Sequence, residues 1–216
     1  MATSLITTIE VFNGTSTPVT PFSFSSTLTL AVGDVVHVYF GFEDISGSNN
    51  APGVTVTCAD NLGNTYTQKA RQNFTGGGSA NAQGIVGFEC IVTSAGTATI
   101  SGTFGGGFQA AWQNGRAFHF RPSGTATTDV GTTGQGTGTA VSLTGVTVGG
   151  AGAMSMAHKS FGSVTTTSSW GTTAGTNAGV DSGGAYLITS ASGTQTPAAT
   201  ISVSHEWVGA AIHTLG

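Results

Sequence analysis

Residues 34–43 read DVVHVYFGFE. Val36, Val38, Phe40 and Phe42 fall on one parity, and Val35, His37, Tyr39 and Glu43 on the other. Alternation with period two, carried by β-branched and aromatic residues, predicts a half-buried β-strand with Phe40 in the core. Residues 84–92, GIVGFECIV, alternate in the same way and bring Phe88 inside as a second anchor. Outward from this pair, strand-like runs continue at 5–12, 22–31, 54–59, 65–71, 98–104, 110–121, 140–148, 153–160, 185–190, 199–204 and 207–215. Turn chemistry separates them: Gly33-Asp34, residues 61–64 (NLGN), the triple glycines at 76–78 and 105–107, and Gly149-Gly150. No stretch carries an apolar 3.6-residue period of helical length. Strands at such spacing, with such turns, imply an all-β chain: an antiparallel β-sandwich, jelly-roll-like in form.

Composition narrows the class. The chain has 216 residues, enough for a large sandwich core. Only 6% of them are charged, against roughly 25% in an ordinary soluble domain, and the net charge is −4. Hydrophobic content of 38% excludes a disordered polar tail. A surface covered by Thr, Ser, Asn and Gly repels its neighbours weakly, which suits packing into an assembly. The cations are Lys69, Arg71, Arg116, Arg121 and Lys159, too sparse for a nucleic-acid interface. No cation precedes Lys69 and no long apolar run occurs, so no export signal and no membrane insertion are expected. Cys58 and Cys90 share parity with apolar neighbours and read first as small buried hydrophobes, with a cross-strand disulfide as the alternative.

The chain repeats itself weakly. Residues 94–101 (SAGTATIS) precede Trp112 and then AFHF at 117–120, while residues 192–202 (SGTQTPAATIS) precede Trp207 and then AIHTL at 211–215. The order of elements upstream also matches. One sandwich built from two half-repeats, about 1–122 and 139–216, is expected. The Gly/Thr-rich segment 123–138 joins them as a surface loop or an edge strand. Trp112 and Trp207 are expected to be equivalent buried anchors, and His119 and His213 to be equivalent in packing.

Catalytic patterns are missing. The chain has no G-x-S-x-G, H-E-x-x-H, P-loop or G-x-G-x-x-G. Its nine carboxylates include no pair with the i, i+2, i+5 acid spacing of the β-sandwich glucanases. A non-enzymatic protein without cofactor or metal is expected. The oxygen-rich stretches 43–51 (EDISGSNNA) and 60–64 (DNLGN) are calcium candidates, but both are equally ordinary turn sequence.

Residues 56–68, VTCADNLGNTYTQ, and 95–104, AGTATISGTF, resemble a group of bacterial and bacteriophage Gly/Thr-rich β-sandwich proteins with a V-D-x-x-G-N-x-Y type motif. Trp170, Tyr186 and Trp207 resemble the closing part of the same group. Cellular members generally carry an export signal or sorting tail, so the resemblance is to the stand-alone phage versions. It implies a virion structural protein made in a host cytoplasm: a capsid decoration or head fibre, or a tail-associated component. Its partners would be copies of itself and other virion proteins. Two further readings stand beside it. One is a carbohydrate-binding module or lectin-like adhesin that stacks its Trp and Tyr on a host surface glycan. The other is an extracellular surface-layer or filament protein.

Overall fold

In the computed structural model, Val35–Asp44 form a strand with a neighbour on each side. The structure describes residues 3–44, 53–74, 82–106, 110–174 and 180–216. Residues 45–51 of the calcium-candidate stretch and the glycine turn at 76–78 lie outside them. The first half carries β1 (Ser4–Phe12), β2 (Phe22–Ser23), β3 (Leu28–Leu30), β4 (Val35–Asp44), β5 (Thr55–Asp60), β6 (Thr67–Phe74), β7 (Ala82–Ile91), β8 (Gly96–Ala98), β9 (Ile100–Gly105) and β10 (Ala110–Arg121). The second carries β11 (Thr127–Ser142), β12 (Val146–Val148), β13 (Gly152–Val164), β14 (Thr166–Ser168), β15 (Thr172–Ala174), β16 (Val180–Thr189), β17 (Gly193–Gln195) and β18 (Ala198–Leu215). All the pairings are antiparallel. The chain is an all-β protein of sandwich type.

The two halves lay out their strands alike. The large sheet of the first runs β1-β10-β4-β7-β6, and that of the second runs β11-β18-β13-β16-β15. The small β3-β8 pair has its counterpart in β12-β17. The β2-β9-β5 sheet corresponds to the end of β11, the start of β18 and β14. Where the first half interrupts its chain between the two sheets, β11 and β18 run through as single long strands.

Three apolar clusters stack through the molecule. Phe22, Val36, Val38, Phe40, Phe42 and Phe88 fill the first sandwich. Val141, Met154, Met156, Ile201 and Trp207 fill the second. Between them Val35, Tyr39, Ile85, Phe118 and Phe120 of one large sheet meet Ala153, Ala157, Val208, Ala210 and Ile212 of the other. The large sheets therefore pack face to face, and each is covered on its outer side by the smaller sheets of its own half. This corrects the half-buried reading of β4, which is buried at all ten positions. The face carrying Val35, His37 and Tyr39 meets the second half instead of water.

Residues 127–138, within the expected join, form most of β11, an edge strand pairing with β18. The runs at 199–204 and 207–215 are one strand, and the run at 140–148 divides between β11 and β12. Among the described residues no helix is long and apolar enough to cross a membrane.

Candidate functional site

Two bulges shape a cleft where the halves meet. In β10 the pairing to β4 shifts between Ala111 and Asn114. Trp112 sits in that bulge at φ 46°, the sole residue other than glycine with positive φ among those described. Its backbone N–H donates to Thr15 O at 3.1 Å. The next side chain, Gln113, is buried and holds both backbone groups of Val19, at 2.9 and 2.7 Å. In β13 the pairing to β16 shifts between Lys159 and Val164, with Gly162 at φ 107°. That bulge turns Phe161 outward. Trp112, Phe161 and Phe12, at the end of β1, wall a cleft of about 300 Å³. Glu43, Asp181, Gly162 and Ser163 complete its lining among the described residues.

Below the cleft lies a buried ion cluster. Lys159 is fully buried, and its Nζ donates to Glu43 Oε1 and Asp181 Oδ2 at 2.6 Å each, and to Ser160 O at 2.9 Å. Three strands supply it: β4, β13 and β16. Gly41 of β4 makes the approach possible, because a Cβ there would lie 3.0 Å from Lys159 Cβ and 2.6 Å from Asn114 Oδ1. Burial raises the Asp181 carboxyl above its ordinary range, against the pull of the Lys159 ammonium. Isolated charges are not tolerated at this depth, so the carboxylates and the ammonium hold each other in place.

A second polar network crosses the seam between the large sheets. His37 Nδ1 and Nε2 lie 2.8 Å from Ser155 Oγ and Thr214 Oγ1. The Tyr39 hydroxyl donates to Ser155 O at 2.8 Å. Thr214 donates to Glu89, which also accepts from Thr128 Oγ1 at 2.5 Å. Burial, with a smaller push from His213, lowers His37 to about 3 and keeps it neutral. Burial lowers His158 to about 3 as well, with Arg116 and Lys159 adding to the effect.

His119 and His213 occupy corresponding places, opposite Val36 of β4 and Met154 of β13. Each meets an aspartate: His119 Nε2 lies 2.7 Å from Asp34, and His213 Nδ1 lies 2.6 Å from Asp129. Burial pushes Asp34 up, but hydrogen bonds from Arg121, the Ala31 amide and His119 outweigh it and hold it at about 2. Among the described residues no group of three or more His, Cys, Asp or Glu could hold a metal ion.

The expected anchors divide. Phe40 is fully buried and Phe88 nearly so, both in the first core. Trp207 is 3% exposed in the last core. Trp112 is a correction: it is half-buried at the cleft mouth. Counting back six residues from the matched histidines gives Gln113 and Trp207, so the bulge puts Trp112 one place out of register. Cys58 and Cys90 are both free thiols, which corrects the disulfide alternative. They lie on different sheets of the first sandwich, Cys58 on β5 and Cys90 on β7, each packed in its apolar core. Burial raises both thiols, Cys90 to about 12.

The DNLGN turn spends its oxygens internally. Asp60 accepts from the Leu62 and Asn64 amides, Asn64 Nδ2 and the Tyr66 hydroxyl, while Asn64 Oδ1 accepts from the Thr93 and Ser94 amides. The motif thereby pins β5 and the start of β6 to the end of β7. Its acceptors are already engaged by N–H and O–H donors, an arrangement that suits a turn better than a calcium ion.

Sequence reasoning passed over Phe12, Phe161 and the role of Lys159. The available signal was a lysine inside the strand-like run AMSMAHKS in a chain with only five cations. No family model, curated protein or solved structure matches this chain.

Proposed function

We propose that the protein is a non-enzymatic structural component of a bacteriophage particle, carried on its surface as a capsid decoration, head fibre or tail-associated element. The observation that carries this reading is the doubled strand order, stacked face to face through a shared core. We read each half as a jelly roll, an architecture used in viral capsid and lectin domains. Two such units fused through their largest sheets make a rigid block. A passive display part requires rigidity, outward loops and edges that can meet neighbours. The low charge and Thr/Gly-rich surface support the same reading, because they let copies pack closely. The edge strands β1 and β11 leave backbone groups for pairing with a second copy or another virion protein. Mass spectrometry of purified particles, with immunogold labelling, tests it. The protein should be present at a fixed stoichiometry on the particle surface, and its absence from the particles would end the proposal.

A further inference from the structure

Bulky residues avoid positive φ because Cβ crowds the backbone, and such a conformation persists only where its surroundings impose it. Here the Thr15 carbonyl and the buried Gln113 hold the backbone on either side of Trp112. The result is an indole placed at the cleft mouth and not in a core. Phe12 and Phe161, 39% and 36% exposed, flank it from the other strands. Large aromatic side chains grouped around one opening are unusual on a surface otherwise made of Thr, Ser and Gly.

The floor beneath these rings offers hydrogen-bond acceptors. Glu43 and Asp181 line the cleft, and a carboxylate can accept several hydrogen bonds. Lys159 reduces the charge of the pair to about −1 and fixes its position, with three donor contacts already made inside the protein. A ligand with an apolar face and a rim of hydroxyl donors matches both features. A cationic ligand would have to share these carboxylates with the Lys159 ammonium, which already donates to both, whereas hydroxyl donors need only the remaining lone pairs. The volume of about 300 Å³ stands at the small end of ligand pockets.

We infer that the cleft between the halves is a saccharide-binding site, with Trp112 and Phe161 stacking on the apolar face of a sugar ring and Glu43 and Asp181 accepting from its hydroxyls. The inference does not depend on the particle reading: a protein absent from virions would still bind, and a virion protein without sugar affinity would still decorate.

The test is calorimetric titration of the whole protein with methyl glycosides of glucose, galactose, mannose and N-acetylglucosamine, and with maltose, cellobiose and lactose. Tryptophan emission is followed in parallel. Saturable binding to at least one of them, in the millimolar range or tighter, is expected. Trp112→Ala should weaken it by about tenfold or more, as expected for loss of a central aromatic contact. Trp170→Ala, remote from the cleft, should leave it unchanged. If Trp112→Ala fails to fold, Phe161→Ala takes its place and should also weaken binding. The inference is overturned if no saccharide in the panel gives saturable binding, or if folded Trp112→Ala and Phe161→Ala bind as the parent does. It is equally overturned if choline saturates the cleft and no sugar does.

Discussion

At the scale of single residues, the two tryptophans separate a core role from a surface one. Trp207 packs in the last core, with its ring against Gly136, where a Cβ would come within 2.9 Å of it. Trp207→Ala opens a large cavity and should cost about 3–5 kcal/mol. Trp112 leaves its ring at the cleft and holds an unfavourable φ. Trp112→Ala removes a half-buried ring from the cleft wall rather than from a core, so its cost should be smaller, about 1–2 kcal/mol. Urea unfolding of both variants checks the contrast, and equal losses would refute the off-register placement. The sequence reading made the two equivalent because both precede a matched histidine by nearly the same distance. A one-residue bulge carries no composition signal. Only the pairing shift between Ala111 and Asn114 exposes it.

At the scale of elements, β4, β13 and β16 are tied together by Lys159, Glu43 and Asp181. Lys159→Met would leave two carboxylates buried without their ammonium. That change should cost about 3–5 kcal/mol by equilibrium unfolding. Lys69→Met provides the control, since Lys69 is 3.9 Å from Glu89 and partly exposed, and it should cost under about 1 kcal/mol. A Lys159 variant no less stable than the Lys69 variant would show that the cluster does not hold the strands together. How legible each strand was depends on how it is made. β4, β7 and β10 announce themselves because alternating Val and Phe side chains do the packing. β11 does not: its run TTDVGTTGQGTG pairs along β18 through backbone hydrogen bonds and has few apolar side chains to read. The inward face of β4 was visible as His37 and Tyr39, but their partners Ser155 and Thr214 lie in the other half. Glu43 and Asp181 were likewise visible as carboxylates. Their shared lysine depends on how the halves stack, which no local pattern encodes.

At the scale of the whole molecule, buried histidines should make the protein sensitive to acid: His37 at the seam between the halves, and His158 and His213 on the faces of β13 and β18 that turn to the second core. His37 and His158 have folded-state values near 3, against 6.5 for the free side chain, and both are fully buried. Between these limits the unfolded chain binds more protons than the folded one, so stability rises with pH across the window. The contribution is complete above about pH 6.5 and is lost progressively as the pH falls towards 3. Each histidine adds a slope of about 1.4 kcal/mol per pH unit, so the two together give about 3 kcal/mol per unit. His213 is also lowered, chiefly by burial against the pull of Asp129, and adds in the same direction. Asp34 extends the loss at lower pH, since its value near 2 lies below the ordinary 3.8. Asp181 opposes the trend: its carboxyl is raised above the ordinary 3.8, so its protonation favours the folded state in a window that lies above 3.8. It is one group against the histidines. Thermal or urea unfolding at constant ionic strength should therefore show a steep loss between pH 6.5 and 4.5. His37→Asn, which retains hydrogen-bonding capacity towards Ser155 and Thr214 without the titrating ring, should lose about 1.4 kcal/mol per unit of that slope. Stability that stays flat down to pH 5, or a slope unchanged in His37→Asn, would mean that the seam opens to water well before the molecule unfolds. The two halves would then behave as separable blocks, and the rigidity on which a display role rests would be lost.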